Sequence, residues 1–387
     1  MQKSVGRNET PTGTFACLSD ERSRRIKKRS HRNRGGAMSE PEIRVDARKL
    51  RGFIGRILLS EGVCKGNARI VADSITTAEL YGFHSHGVIR IPHYIKRLRM
   101  GSLNKNPDIR VLKKTGNTAL VDGDHGMGHA VAYFGMREAI RLARRGVGFV
   151  GVTNSSHFGI AGYTAIQALK KDMIGIVVSH TDVAVIPFGG KKPAVGTNPV
   201  AVAVPTDREY PVLLDMATSA ASLGKILVAK SKGERIPSDW GVDEDGIPTT
   251  DPAKVKYLMP MAGPKGYALA LIFDILSGPL TGSLFGKGLP KMYGDYEKHR
   301  RMGHFIGAIH VGHFVPVDEF KRNVSLLIDE IHDTPPAKGF DRVLVPGEKE
   351  YLMRLQYERE GIPIPSETAK ELRAVAREAG IRFPAPV

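Results

Sequence analysis

Apolar residues recur along most of the chain with one of two periods, and the period changes wherever glycine, proline or a short polar run intervenes. Leu50, Phe53, Ile54, Ile57 and Leu58 fall at helical spacing, which predicts an amphipathic helix over residues 46–61. A second helix is predicted over Ala68–Tyr81, with Ile70, Val71, Ile75 and Ala78 inward. Further on, Thr118–Val121 reads as a short strand, Ala132–Arg145 as a helix and Gly148–Thr153 as a strand. A helix over Ile160–Lys171 and a buried strand at Ile174–Val178 follow. The β-branched runs Val200–Val204 and Pro211–Leu214 are bounded by turn residues and predict two strands. Helices are expected at Ser219–Ser231, ending at Gly233, and at Lys265–Leu276, then a strand at Phe305–His310. The remainder reads as helices near Asp318–His332, Glu348–Glu360 and Ser366–Glu378. Strands concentrate in the middle and helical material at both ends, so the fold class is α+β, a mixed α/β chain, with no internal repeat.

Length and composition fit that picture: 387 residues with 41% hydrophobic content are enough for more than one packed unit. No apolar run reaches the roughly 20 residues of a membrane helix, so no membrane partner is expected. The two cysteines, Cys17 and Cys64, cannot build a disulfide framework and suit a reducing compartment; a cytoplasmic protein is expected.

The formal charge of +17 changes the picture only at one end. Residues 1–37 hold ten Lys and Arg against three acids and lack hydrophobic periodicity, so they read as a disordered basic extension ahead of Met38. A basic tail raises a nucleic-acid-binding alternative. That reading lacks a motif or stacking aromatics among the basic residues, and no nucleic-acid partner is expected.

Gly146-Val-Gly148-Phe-Val-Gly151 matches the dinucleotide fingerprint in letters only. The fingerprint needs a strand before the glycines and a helix after them; here a helix precedes and a strand follows, with Gly146 as a helix terminator. A dinucleotide would have to be held by another device.

The densest polar cluster is His84-Ser85-His86-Gly87-Val88-Ile89-Arg90-Ile91-Pro92-His93-Tyr94. Histidine is the usual acid/base near neutral pH, and the planar fork of Arg90 suits a carboxylate. His86 and Arg90 would share a face if the segment were helical. His84-x-His86 and His310-x-x-His313 are partial metal pairs that nothing completes, so no metal is expected. His157, in Thr153-Asn-Ser-Ser-His157-Phe-Gly159, sits where a strand ends and a helix begins, and is a second acid/base candidate. Phe188-Gly-Gly and Gly196-Thr197-Asn198-Pro199 are turns able to bring backbone close to a ligand. Asp215, at a strand end, could orient a histidine, hold a cofactor hydroxyl or cap a helix. Lys265 stands in the first turn of an apolar helix, where the dipole disfavours a cation unless a phosphate is bound. Gly347, Glu348 and Lys349 form an exposed turn before another helix.

Taken in order, HSHGVIRIPHY, TNSSHFG, PFGG, GTNP, LDMATS, GPKGYAL, DILSG, LFG and PGE resemble the malate/L-sulfolactate/L-lactate dehydrogenase-like family, over about residues 45 to 365. Within it, GFHSHGVIR, SHTDVAVIPFGG and AGPKGYALALIFDILSG look nearest to the ureidoglycolate dehydrogenase branch. The resemblance implies a non-Rossmann fold, a homodimer, and hydride transfer between NAD or NADP, NAD favoured, and a small 2-hydroxy acid. It implies a catalytic group of Ser85, His86, His157 and Asp215, with the proton on either histidine. Substrate contacts are expected from Arg90, Tyr94, Thr197 and Asn198, and cofactor contacts from Thr181, Asp215, Met216, Ala217, Lys265, Gly347, Glu348 and Lys349. Residues 116–299 would form the NAD(P)-binding domain, and 38–115 with 300–387 a helical substrate-side and dimer domain. Reduction of a cyclic imino acid or keto acid is the runner-up chemistry. The family's usual Thr-Asn before PFGG is replaced by Ser179-His180-Thr181-Asp182, which puts substrate choice in doubt.

Overall fold

A computed structural model of the chain describes residues 42–387; the basic extension lies outside the described residues. The chain enters through a short strand, β1 (Glu42–Val45), and Asp46 caps α1 (Ala47–Ser60) by accepting the Lys49 N–H at 2.9 Å. Helix α2 (Lys65–Leu80) lies against α1, and α3 (Ile91–Arg99) follows the polar cluster. Leu50, Phe53, Ile54 and Ile57 of α1 are buried with Val71 and Ile75 of α2 and Ile95 of α3, as their spacing requires.

The sheet begins with β2 (Arg110–Thr115) and β3 (Thr118–Asp122), then α4 (Gly128–Ala143), β4 (Val147–Ser155) and the five-residue α5 (Ala161–Ala165). Next come β5 (Met173–Ser179), β6 (Val200–Val204), β7 (Val212–Met216) and α6 (Leu223–Lys232). Two-residue strands β8 (Gly241–Val242) and β9 (Tyr257–Leu258) precede α7 (Pro264–Ser277) and β10 (Met302–His310). Helices α8 (Val317–His332) and α9 (Glu348–Glu360), strand β11 (Ile362–Pro365) and α10 (Ser366–Glu378) complete the described chain.

Seven strands form one sheet in the order β2-β3-β4-β10-β5-β6-β7. Only β3 and β4 run parallel; every other pair in this sheet is antiparallel, so a doubly wound parallel dinucleotide fold is excluded. The mixed α/β class expected from the sequence is the one observed. Helix α4 enters β4 through Gly146, at φ 113°, and Gly148 packs so closely on α4 that a Cβ would stand 2.3 Å from the Ala139 carbonyl oxygen. The GxGxxG letters therefore serve helix–strand packing.

Two expectations need correction. The expected helical domain takes in residues 300–387, yet β10 lies inside the sheet, its backbone hydrogen-bonded to β4 on one edge and β5 on the other. The helix expected over 160–171 stops at Ala165 and resumes as a 3-10 turn, Ala168–Lys171, ended by Asp172 in the left-handed region. The sheet core is formed by Val131 and Met136 of α4 with Val150, Val152, Val177 and Ile306. Strands β1 and β11 pair Val45 with Ile362, which fastens the chain's last helices onto α1 and α2.

Candidate active site

Glu79, buried in the last turn of α2, organises the turn that follows. Its carboxylate accepts the Val88 N–H at 2.7 Å and lies 2.5 Å from His84 Nδ1. Gly87 is pressed against it; a Cβ there would stand 1.9 Å from Glu79 Oε1. The segment consequently folds as two 3-10 turns, His84–His86 and Val88–Arg90, which run into α3 at Pro92. Arg90 Nε donates to the Ser85 carbonyl at 2.6 Å, and Ser85 Oγ lies 2.9 Å from His86 Nδ1.

One turn into α3, the buried Tyr94 reaches the end of β4: its hydroxyl lies 2.7 Å from His157 Nδ1. The imidazoles of His86 and His157 are stacked, with centroids 5.5 Å apart and planes 15° from parallel. Two motifs far apart in sequence thus meet in one site. Both histidines are held at Nδ1, which leaves Nε2 of each without a hydrogen-bond partner among the described residues.

Burial, followed by the Arg90 charge, lowers His86 to about 4. His157 is held well below its ordinary value, by burial first and then by the charges of His86 and Arg90. Both rings are neutral near pH 7. Burial raises the Tyr94 hydroxyl, so it stays protonated.

Three neighbours were not singled out from the sequence. His129, in the first turn of α4, is fully buried edge-on to Tyr94, with centroids 5.2 Å apart and neither ring nitrogen paired. Tyr293 lies over the Arg90 guanidinium at 5.5 Å, and Arg300 pairs with Asp182 at 2.6 Å. The loop bearing Tyr293 is fastened to α3 by Arg97, which donates to the carbonyls of Lys291, Met292, Asp295 and Lys298. Nothing local marks these residues; the basic run around Arg97 reads as surface.

Asp215, at the end of β7, accepts the Gly162 N–H at 2.7 Å, five residues beyond His157. Burial raises its carboxyl to about 7 despite that bond. It lines a cavity of about 140 Å³ with Phe83, Leu213, Leu214, Pro346, Gly347 and Glu350, so this cavity opens beside the histidine-bearing turn. Met216 and Ala217, the next two residues, are half-buried. Gly347, at φ 95°, lies so close to β7 that a Cβ would stand 2.6 Å from the Pro211 carbonyl oxygen. Gly347 also lines that cavity, which puts backbone without a side chain at its edge, at the start of α9. Lys265 suits a phosphate: it is exposed in the first turn of α7, with no ion pair among the described residues.

Other expected contacts are engaged within the protein. The Asn198 amide accepts the Thr181 N–H at 3.0 Å and donates to the Ala270 carbonyl at 2.8 Å, while Thr181 Oγ1 accepts the Thr197 N–H at 3.0 Å. Asn198 is fully buried, so it and Thr197 act as a clamp between β5, β6 and α7. The Glu348 carboxylate is taken by His332 at 2.8 Å and Arg342 at 3.3 Å; Lys349 beside it is exposed.

A family profile described as malate/L-lactate dehydrogenase matches residues 45–373, which include every one of these groups. The chain belongs to the malate/L-lactate dehydrogenase family. Across its members the similarity runs nearly end to end. Malate/(S)-sulfolactate dehydrogenase of Methanothermus fervidus is 42% identical over 86% of this chain and 97% of its own length. Ureidoglycolate dehydrogenase (NAD(+)) of Escherichia coli is 36% identical over 83% of this chain and 93% of its own. The motif-level nearness to the ureidoglycolate branch therefore does not extend to the whole chain, which is more similar to malate and sulfolactate enzymes. The solved sulfolactate dehydrogenase of Methanocaldococcus jannaschii superimposes with a TM-score of 0.84 at 39% identity, covering 88% of this chain and 98% of that one. As a member of this malate/L-lactate dehydrogenase family, the protein is an NAD(P)-dependent oxidoreductase acting on small 2-hydroxy acids.

Proposed function

We propose that the chain oxidises a 2-hydroxy acid of the malate, lactate, sulfolactate or ureidoglycolate class, reversibly, with His157 as the proton acceptor. The observation that carries this reading is the Tyr94–His157 hydrogen bond beside the stacked His86, with Arg90 held on the same turn. Tyr94 holds the imidazole at Nδ1; in the tautomer whose Nδ1–H donates to the Tyr94 hydroxyl, Nε2 carries the lone pair that takes the substrate hydroxyl proton, and the Gly159 N–H, 3.3 Å from Nδ1, then gives up its bond to that nitrogen. Neutral His157 is ready to do so at pH 7. Arg90 grips the C1 carboxylate through its remaining N–H groups, which fixes the orientation of the C2 hydrogen. Ser85 and His86 complete the polar wall and hold the hydroxyl in place. A bound nicotinamide supplies the hydride acceptor.

For the cofactor, Asp215, Met216, Ala217, Lys265 and the backbone of Gly347 are the residues proposed to hold it. NAD is favoured over NADP, because Glu350 lines the cavity, where a carboxylate suits ribose hydroxyls and opposes an added phosphate. A homodimer is proposed on the apolar faces left open: Leu269, Ile272 and Ile275 on α7, and Leu326 and Leu327 on α8, are each at least 38% exposed. A cytoplasmic location accords with a chain in which, among the described residues, no helix is long and apolar enough to cross a membrane.

The test is a panel of L-malate, L-lactate, sulfolactate and ureidoglycolate with NAD and with NADP, read by reduced-cofactor absorbance. Turnover of at least one acid is expected. Turnover of none, by folded protein that binds the cofactor, overturns the reading.

A further inference from the structure

Two residues of β4, Thr153 and Asn154, stand opposite the single Gly303 of β10: Met302 pairs with Ser155 and His304 with Val152. This β-bulge, with Asn154 at φ 49°, lies just before His157 and sets the direction in which the chain leaves the sheet. On the other edge of β10, pairing with β5 ends at His304 and Ser179. Beyond that pair the Gly303 N–H donates to a side chain, His180 Nε2, at 3.0 Å. Nδ1 of the same ring lies 2.9 Å from Asp274 Oδ1 on α7. A ring nitrogen that accepts an N–H carries no proton, so the His180 ring is neutral and its proton, on Nδ1, is donated to Asp274.

His180 is fully buried with both nitrogens engaged, so neither is free for a substrate. It belongs to Ser179-His180-Thr181-Asp182, where the chain departs from the usual Thr-Asn of its family. What it holds is the junction of two strand ends. His304, next to Gly303, is fully buried and bridges them: Nδ1 lies 2.8 Å from Ser179 Oγ on β5, and Nε2 lies 2.7 Å from Ser155 Oγ on β4. Ser155 stands just ahead of His157, while Ser179 leads to Thr181 and to Asp182, which holds Arg300 at 2.6 Å. Gly303 is pressed on α7, where a Cβ would stand 1.8 Å from the Ser277 carbonyl oxygen. A buried carboxylate and imidazole are a costly way to satisfy one N–H, where a carbonyl would do. What the pair adds is an acceptor with one tautomer and a fixed direction.

We propose that His180, oriented by Asp274, is a positioning residue for the reaction: its bond to Gly303 fixes the end of β4 against the end of β5, and so fixes His157 relative to bound substrate and cofactor. A misplacement of about 1 Å at such a site costs on the order of a hundredfold in rate, which gives a buried device of this kind its use. The proposal rests on the reading of His157 as the proton acceptor.

A neutron structure of the full-length parent protein tests the bond itself. A deuteron is expected on His180 Nδ1 and none on Nε2; the reverse overturns the proposal with no variant needed. The function is read in kinetics at saturating cofactor, with a 2-hydroxy acid that the protein oxidises, carrying hydrogen or deuterium at C2. In folded His180→Leu, kcat should fall about tenfold or more while NADH affinity holds. The primary isotope effect should rise toward its limit, because the misaligned hydride step becomes slower than the steps around it. His180→Gln, whose side-chain carbonyl can take the Gly303 N–H, should recover most of kcat. Asp274→Leu frees the ring tautomer and should reproduce the defect, and the double variant with His180→Leu should be no worse than either single one. Parental kcat and isotope effect in folded His180→Leu overturn the proposal, as does a kcat loss that leaves the isotope effect small. A raised isotope effect in His180→Leu, with near-parental kcat in His157→Ala, removes His157 as the proton acceptor and leaves the strand junction as what His180 positions. A collapse of kcat in His157→Ala, with His180→Leu parental, does the reverse.

Discussion

The hydroxyl of Tyr94 lies 2.7 Å from Nδ1 of His157, which joins a helix on one side of the site to a strand end on the other. That bond distinguishes the two histidines. His157 is anchored by a buried phenol, whereas the partner of His86 is the exposed Ser85. It follows that His157→Ala should lower kcat by roughly 10²–10⁴-fold with cofactor affinity nearly unchanged. His86→Ala should act mainly on the substrate KM. A larger kcat loss in His86→Ala than in His157→Ala would reverse the assignment.

Arg90→Lys keeps the charge but loses the planar fork. One guanidinium nitrogen is already engaged by the Ser85 carbonyl, and a lysine cannot hold that bond and two parallel bonds to a carboxylate at once. The expected loss in kcat/KM is about 2–4 kcal/mol, with NADH binding unaltered. Steady-state kinetics with a fluorescence titration of NADH check both halves; near-parental kcat/KM would remove Arg90 from the substrate site.

Lys265→Ala should weaken NADH binding several-fold while leaving the substrate KM at saturating cofactor close to the parental value. The lysine has no ion pair among the described residues and stands in the first turn of α7, where only an anion would favour a cation. An unchanged dissociation constant for NADH would make Lys265 a surface residue.

Stability should depend on pH through two opposed slopes. His86, lowered to about 4, and His129 and His304, each lowered to about 3 chiefly by burial, resist protonation in the fold, while the unfolded chain takes up protons near pH 6.5. Their contribution is therefore intact above pH 6.5 and is lost as pH falls from there through 4 and on toward 3. Asp215, raised from 3.8 to about 7, prefers its proton in the fold, so its contribution is present below pH 4 and is lost as pH rises through 7. Asp215→Asn removes the second slope. In thermal melts without cofactor, its Tm relative to the parent should rise between pH 5 and pH 8. A constant difference across that range would place Asp215 in an ordinary, solvated environment.

Much of this was legible along the chain because it depends on short-range order. The 3.6-residue spacing in Leu50–Leu58 leaves one face apolar whatever it packs against, and the β-branched run Val200–Val204 can do little else than pair as a strand. The order of glycines and helix around Gly146 was enough to set aside a dinucleotide loop, and His86, Arg90 and His157 are marked by their own residue types. What the sequence could not decide is which groups meet. Strand β2 is mostly polar and exposed, and β1 and β11 are four residues each, so they exist only through their partners. Arg97, His129, Tyr293 and Arg300 resemble any buried or surface residues until the loop between α7 and β10 is laid over α3. Asn198 and Glu348 look as ready for a ligand as Lys265 does, and only the fold engages the first two internally. Local sequence sets periodicity and chemical type. Charge balance and hydrogen-bond satisfaction are sums over neighbours brought from distant parts of the chain, and those sums exist only once the chain has closed on itself.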